Sequence, residues 1–181
     1  VHSGMDNNYC MKLKLAQANR HYVVKGEAFE ASGFHITPFG VPHDSSDNVG
    51  YSIEYEGVVF TLLTDVGHIT EEMKAIIRNT DYLVIEANYD LQMLQNGPYP
   101  RHLQERIQCG TGHLSNAQCG AALVENYTER LKHIWLCHLS EENNHPELAR
   151  KSIEQALSNA GIKVKLDVLR RKQPTGVFEL V

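Results

Sequence analysis

Nothing in this chain of 181 residues reads as a membrane anchor or a secretion signal. No apolar run is long enough to cross a bilayer, and the first residues carry no basic segment followed by an apolar core, although a processed chain would have lost one. Cysteine is scarce. Cys10, Cys109, Cys119 and Cys137 lie far apart without the paired spacing of a thiolate metal site, so reduced thiols in a cytoplasmic protein are the expectation. Positive charge is not in excess either: a net charge of -5 argues against broad electrostatic coating of nucleic acid but leaves one local basic groove open. No repeat of fixed period and no low-complexity stretch occurs. What remains is a composition, 42% hydrophobic, that supports one core, and residues 1–181 are expected to form a single domain. Histidine is plentiful. Ten are present, several beside Asp, Ser, Asn or Gly at segment ends.

The run from Val58 to Thr64 is apolar and β-branched, which predicts a strand buried on both faces, and Asp65-Val66-Gly67-His68 breaks it. A carboxylate therefore sits at the carboxyl end of a strand, where a sheet usually offers side chains to a ligand. Two other stretches repeat the arrangement. Ile36 to Val41 ends in Pro42-His43-Asp44, and His133 to Cys137 ends in His138-Leu139-Ser140. Three strand tips thus each carry one side chain able to bind a metal: His43, Asp65 and His138.

Around them, Glu56-Gly57 predicts a tight hairpin between Tyr51–Tyr55 and the Val58 strand, with further strands at His21–Val24 and Gly33–Phe39 and a short helix within Tyr9–Asn19. Beyond Asp65 the pattern alternates. Helices are predicted from a Thr70 cap to about Asn79, from Asn88 to Leu94, from Arg101 to Ile107, from Ser115 to Asn126, and from Pro146 to Asn159 before Gly161. Strands are predicted at Asp81–Ala87, around Ile134 and at Val164–Leu169. Sheet followed by alternating helix and strand implies a layered α/β fold.

Each candidate residue also has an ordinary structural explanation. A histidine in a polar loop, as His43 is, more often faces solvent than a ligand. Asp65 suits a helix cap. His138 fits a half-buried imidazole bonded to a backbone carbonyl. His113, in Gly112-His113-Leu114-Ser115-Asn116, fits a capping motif with an incidental ring, or a general acid beside a metal centre. Taken together, imidazole and carboxylate suit Zn, Mn or Fe, and separate strand ends can converge where one segment cannot. His68 and His145 read as supporting or surface residues, and Glu141 to Pro146 as a polar loop. Arg101, Arg106, Arg170, Arg171 and Lys172 are the available phosphate contacts.

His43-Asp44, Thr64-Asp65-Val66-Gly67, Glu86-Ala87-Asn88-Tyr89-Asp90 with Met93-Leu94, Tyr99-Pro100 before Leu103 and Arg106-Ile107, Gly112-His113-Leu114-Ser115-Asn116, and His138-Leu139-Ser140 with Glu142-Asn143-Asn144 together resemble the YycJ-like (WalJ-like) branch of the metallo-β-lactamase fold. The resemblance runs from about residue 33 to residue 160. It implies an αββα sandwich with a site at one edge of its two sheets, holding up to two divalent metals, Zn or Mn, that activate water. By position, His43 and His138 resemble metal ligands, Asp65 the carboxylate bridging two metals, and His113 the proton donor beside a scissile phosphate. The implied function is a metal-dependent phosphodiesterase acting on nucleic acid, DNA exonuclease-like, with Asp65 and His113 catalytic. Alternatives are an inert or truncated binding module of the same fold and a lactam or thioester hydrolase. Two departures stand out. The family's His-x-His-x-Asp-His cluster is missing, since His2, His21 and His35 are isolated, and Tyr89 stands where relatives often have histidine. The chain is therefore expected to be the carboxyl-terminal majority of the domain.

Overall fold

The computed structural model describes residues 22–45 and 47–180. Seven strands form one sheet in chain order: β1 Phe29–Ala31, β2 Phe34–Gly40, β3 Val49–Tyr55, β4 Val58–Leu63, β5 Tyr82–Glu86, β6 His133–Cys137 and β7 Lys165–Val168. The first four pair antiparallel, and β4 to β7 pair parallel. The hairpins explain the antiparallel half. Ser32-Gly33 and Glu56-Gly57 each place two consecutive residues at positive φ, the backbone of a two-residue turn whose twist matches the flanking strands. The Glu56-Gly57 turn was legible in advance; β1 was not.

Helices connect the parallel half: α1 Glu71–Arg78, α2 Leu91–Asn96, α3 Arg101–Gln108, α4 Asn116–Asn126 and α5 Pro146–Asn159. Their starts are chemical. Thr70 Oγ1 accepts the Met73 N–H at 3.2 Å, Asp90 accepts from Gln92 and Met93, and Ser115 with Gln118 forms a capping box. Asp65 caps no helix.

One face of the sheet packs Leu63, Leu83, Ile85, Ile134, Leu136 and Leu166 against Met73 and Ile77 of α1, Cys119 and Leu123 of α4, and Ala149, Ile153 and Leu157 of α5. The other face gathers Tyr82, Val84, Trp135 and Cys137, with the Phe178 ring standing edge-on to Trp135 at 5.0 Å. The α/β class holds; among the described residues there is one sheet, and the second sheet of the implied sandwich does not appear. At the end away from the site, Asp81 Oδ2 ties the layers together by accepting the Val59 N–H at 2.9 Å and Arg130 Nη2 at 2.7 Å.

Two expectations need correction. β4 is not buried on both faces: Val59, Thr61 and Leu63 are buried, while Val58, Phe60 and Leu62 are only half-buried, because no helix among the described residues covers that side. In place of a continuous strand at 22–24 only Val23 makes a bridge, and His21 lies outside the described residues. The chain then turns at Gly26, with φ of 81°, and Tyr22 and Val24 stay exposed. The helix expected within Tyr9–Asn19 also lies outside the described residues. No helix among the described residues is long and apolar enough to cross a membrane.

Candidate metal centre

Because β4, β5 and β6 run parallel, their carboxyl ends share one edge of the sheet. Leu63 pairs with Ile85, and Glu86 pairs with Cys137, so Glu86 stands between the tip carrying Asp65 and the tip carrying His138. The convergence is real. Asp65 Oδ1 lies 3.7 Å from His43 Nε2 and 3.6 Å from His138 Nδ1, and the rings of His113 and His43 have centroids 4.8 Å apart. Ligand atoms of Asp65, Glu86, His113 and His138 all lie within 4.8 Å of one another, a group able to hold a metal ion.

Glu86 organises this cluster, and reading the sequence as a polar break after a strand did not reveal it. Its side chain has 0% exposure. Oε2 accepts the Asp65 N–H at 2.8 Å and lies 2.7 Å from His138 Nδ1, while Oε1 accepts the Leu114 N–H at 2.9 Å and lies 3.1 Å from His113 Nδ1. Burial alone pushes the Glu86 carboxyl upward, but the bonds from His113 and His138 outweigh it and hold the pKa below the usual value. The same bond raises the pKa of His138 against its own burial. A buried carboxylate therefore meets two imidazoles and two backbone N–H groups, enough partners to keep it ionised.

The donor set fits a divalent transition ion. Imidazole nitrogens and a carboxylate oxygen are its usual protein ligands. Carboxylate and carbonyl groups that take one nitrogen of a ligating imidazole fix its orientation. Glu86 does this for His138, and the Gly112 carbonyl does it for His43, whose Nδ1 lies 2.9 Å away.

Comparison with known proteins shows the family. Residues 2–134 match the model of the beta-lactamase superfamily domain. The chain belongs to the beta-lactamase superfamily. It is 36% identical over 129 residues to the exodeoxyribonuclease YycJ of Bacillus anthracis, covering 71% of this chain and 49% of that protein. It is 35% identical over 154 residues to the exodeoxyribonuclease WalJ of Streptococcus pneumoniae, covering 85% of this chain and 57% of that protein. The chain thus spans about half the length of the curated relatives it matches. The metallo-beta-lactamase fold protein YhfI from Bacillus subtilis superposes with a TM-score of 0.64 at 15% identity, covering 91% of this chain and 60% of that one.

In this superfamily member the site opens into a cleft of about 440 Å³, lined by His43, Tyr99, Leu103, Arg106, His113 and His138. Of the basic residues anticipated as phosphate contacts, Arg106 alone lines it, bonded to Asp44, whose carboxyl it holds below the usual range. Arg101 pairs with Glu105, Arg170 bonds Gln173, Lys172 pairs with Glu141 on the cleft rim, and Arg171 does not line the cleft. Close loop packing completes the site. A Cβ at Gly67 would meet Thr111 Cα at 2.5 Å, and the Gly67 N–H reaches the Pro42 carbonyl at 2.7 Å, joining the loops that bear Asp65, His43 and His113. His68 is exposed and bonds the Gly110 carbonyl at 2.6 Å, and His145 caps α5. Asn143 and Asn144, read as loop polarity, are buried; the Asn144 amide donates to Asn116 Oδ1 at 2.8 Å. Tyr89 is buried, at 3% exposure, and its backbone bridges Ser115.

Proposed function

We propose that this chain is the site-bearing part of a metal-dependent hydrolase that cleaves nucleic-acid phosphodiesters, in the manner of a DNA exonuclease. The observation that carries the reading is the meeting of three strand tips: the Asp65 carboxylate lies within 3.7 Å of both His43 and His138. The names of the two curated relatives, each an exodeoxyribonuclease, support the substrate class.

His43, Asp65 and His138 would hold the metal, Zn or Mn, in up to two positions. A bound divalent ion supplies Lewis-acid polarisation of the phosphoryl oxygens and lowers the pKa of a coordinated water. Glu86 sets the orientation of the imidazoles of His138 and His113 and fixes the Asp65 backbone. His113 lines the same cleft as Arg106, where its ring would deliver a proton to the leaving oxygen. Arg106 holds a phosphate in place when Asp44 yields it. Leu103 and Ile107 exclude water from one wall.

The test is hydrolysis of linear duplex DNA with added Mn²⁺ or Zn²⁺, run beside a lactam and a thioester. The reading expects DNA turnover that Asp65→Ala abolishes; turnover of the lactam or thioester alone, or DNA cleavage surviving that change, contradicts it. A second reading is a catalytically inert binding module of the same fold, favoured by the lack of a His-x-His-x-Asp-His cluster in these residues. Clear stoichiometric dinuclear metal occupancy counts against it.

A further inference from the structure

Among the described residues outside glycine, four have positive φ: Ser32, Glu56, Asp65 and His138. Ser32 and Glu56 each precede a glycine in a two-residue hairpin turn, and the turn accounts for their conformation. Asp65 at 56° and His138 at 54° sit in no such turn. Both end parallel strands, both face the metal-binding cluster, and both occupy a backbone region that side chains adopt at a cost, one that persists only where surrounding contacts over-determine it.

The contacts that do so are matched. The Asp65 carbonyl accepts a hydrogen bond from Asn48 Nδ2 at 2.8 Å, and the His138 carbonyl accepts one from Asn88 Nδ2 at 2.8 Å. Each asparagine comes from a segment flanking the tip it holds: Asn48 precedes β3, and Asn88 follows β5. Asn88 is doubly engaged, since its own carbonyl accepts the Ser140 N–H at 2.8 Å, two residues beyond His138, and its N–H donates to the Leu114 carbonyl at 2.9 Å. Asn88 is 8% exposed, so its amide is largely withdrawn from water. Without these donors, a tip residue gains by relaxing toward the extended region, which swings its side chain away from the cluster.

We infer that Asn48 and Asn88 are positioning residues, one for each tip, whose side-chain amides hold Asp65 and His138 in left-handed backbone and so preform the ligand geometry. This rests on the metal-centre reading above, and the experiment separates the two. In Asn48→Ala and Asn88→Ala, backbone chemical shifts of the metal-free protein report conformation at residues 65 and 138 directly. Asn48→Ala moves residue 65 out of the left-handed range and spares residue 138; Asn88→Ala does the reverse. Asn48→Asp and Asn88→Asp keep side-chain shape but lose the donor, and they follow the alanine variants. If both tips keep left-handed shifts in all four variants, the assignment is overturned.

The second readout is Zn²⁺ titration with the Co²⁺ visible spectrum, corrected to the folded fraction. Each variant binds roughly 10-fold more weakly or worse, the usual cost of losing support behind a ligand, and the Co²⁺ bands shift. A variant that displaces its tip yet binds Zn²⁺ as the parent does overturns the link to ligand geometry. Failure of the parent to bind Zn²⁺, with the tips moving as stated, counts against the metal-centre reading and leaves the backbone assignment standing.

Discussion

Glu86 Oε2 lies 2.7 Å from His138 Nδ1 and 2.8 Å from the Asp65 amide nitrogen, so one fully buried oxygen joins both tips that flank β5. Removing its charge while keeping its shape should undo both joints. Glu86→Gln is expected to weaken Zn²⁺ binding by about 10- to 100-fold. It should also lower folding stability by about 1–3 kcal/mol, since buried donors lose a charged acceptor. Calorimetric titration and urea unfolding check the two effects; a variant equal to the parent in both shows that Glu86 is incidental.

The pH dependence of the metal-free protein follows from the same pair. Glu86 has a folded pKa below 4.5, so its contribution is complete above 4.5 and is lost as pH falls toward the folded value. His138 has a folded pKa above 6.5, so its contribution is complete below 6.5 and is lost as pH rises through the folded value. The stability difference between parent and Glu86→Gln should therefore be larger at about pH 5.5 than at about pH 9. Chelator-treated urea melts at both values measure it, and a larger difference at the higher pH contradicts the pairing.

Gly67 sits where a side chain would meet the backbone of Thr111. Gly67→Ala should force the loop bearing Asp65 away from the loop bearing His113, at a stability cost of about 1–3 kcal/mol. Metal affinity should fall further than stability does, because the strain falls within the site. Parallel melting and titration decide this, and affinity that survives intact speaks against loop contact as a determinant of the site.

Thiol chemistry should divide the described cysteines cleanly. Cys109 is exposed, and its bond with Thr111 lowers its pKa; burial pushes the Cys137 thiol up to about 12 and Cys119 higher still. Iodoacetamide under native conditions should label Cys109 and leave Cys119 and Cys137 unmodified by mass spectrometry. Early labelling of Cys119 would show that the helix-packed face opens, and early labelling of Cys137 that the opposite face does.

Much of the fold was legible because its signals are local. The Thr70 and Ser115 caps, the Glu56-Gly57 turn and the Pro146 start each depend on a few neighbouring residues, and the helices lie where those residues place them. The site was legible in part because strand ends offer side chains to a ligand, so His43, Asp65 and His138 could be nominated from position and His113 from the motif that opens the following helix. Glu86 escaped notice because it ends a strand of five buried residues, where its value comes from burial and from partners 21 to 52 positions away. A lone carboxylate inside the apolar run Tyr82-Leu83-Val84-Ile85 was the available signal. Asn48 and Asn88 gave none, since an asparagine in a loop reads as solvation until a strained carbonyl is seen in front of it. β1 was missed for want of length.

The central claim is that the tips of β4 and β6, with His43 and His113 beside them, form one metal centre. Titration of Zn²⁺ into the metal-free chain and into its Asp65→Ala variant tests it most directly. The account predicts saturable binding by the parent and at least about a 10-fold loss of affinity in the variant; superimposable isotherms, or no binding by the parent, would contradict it.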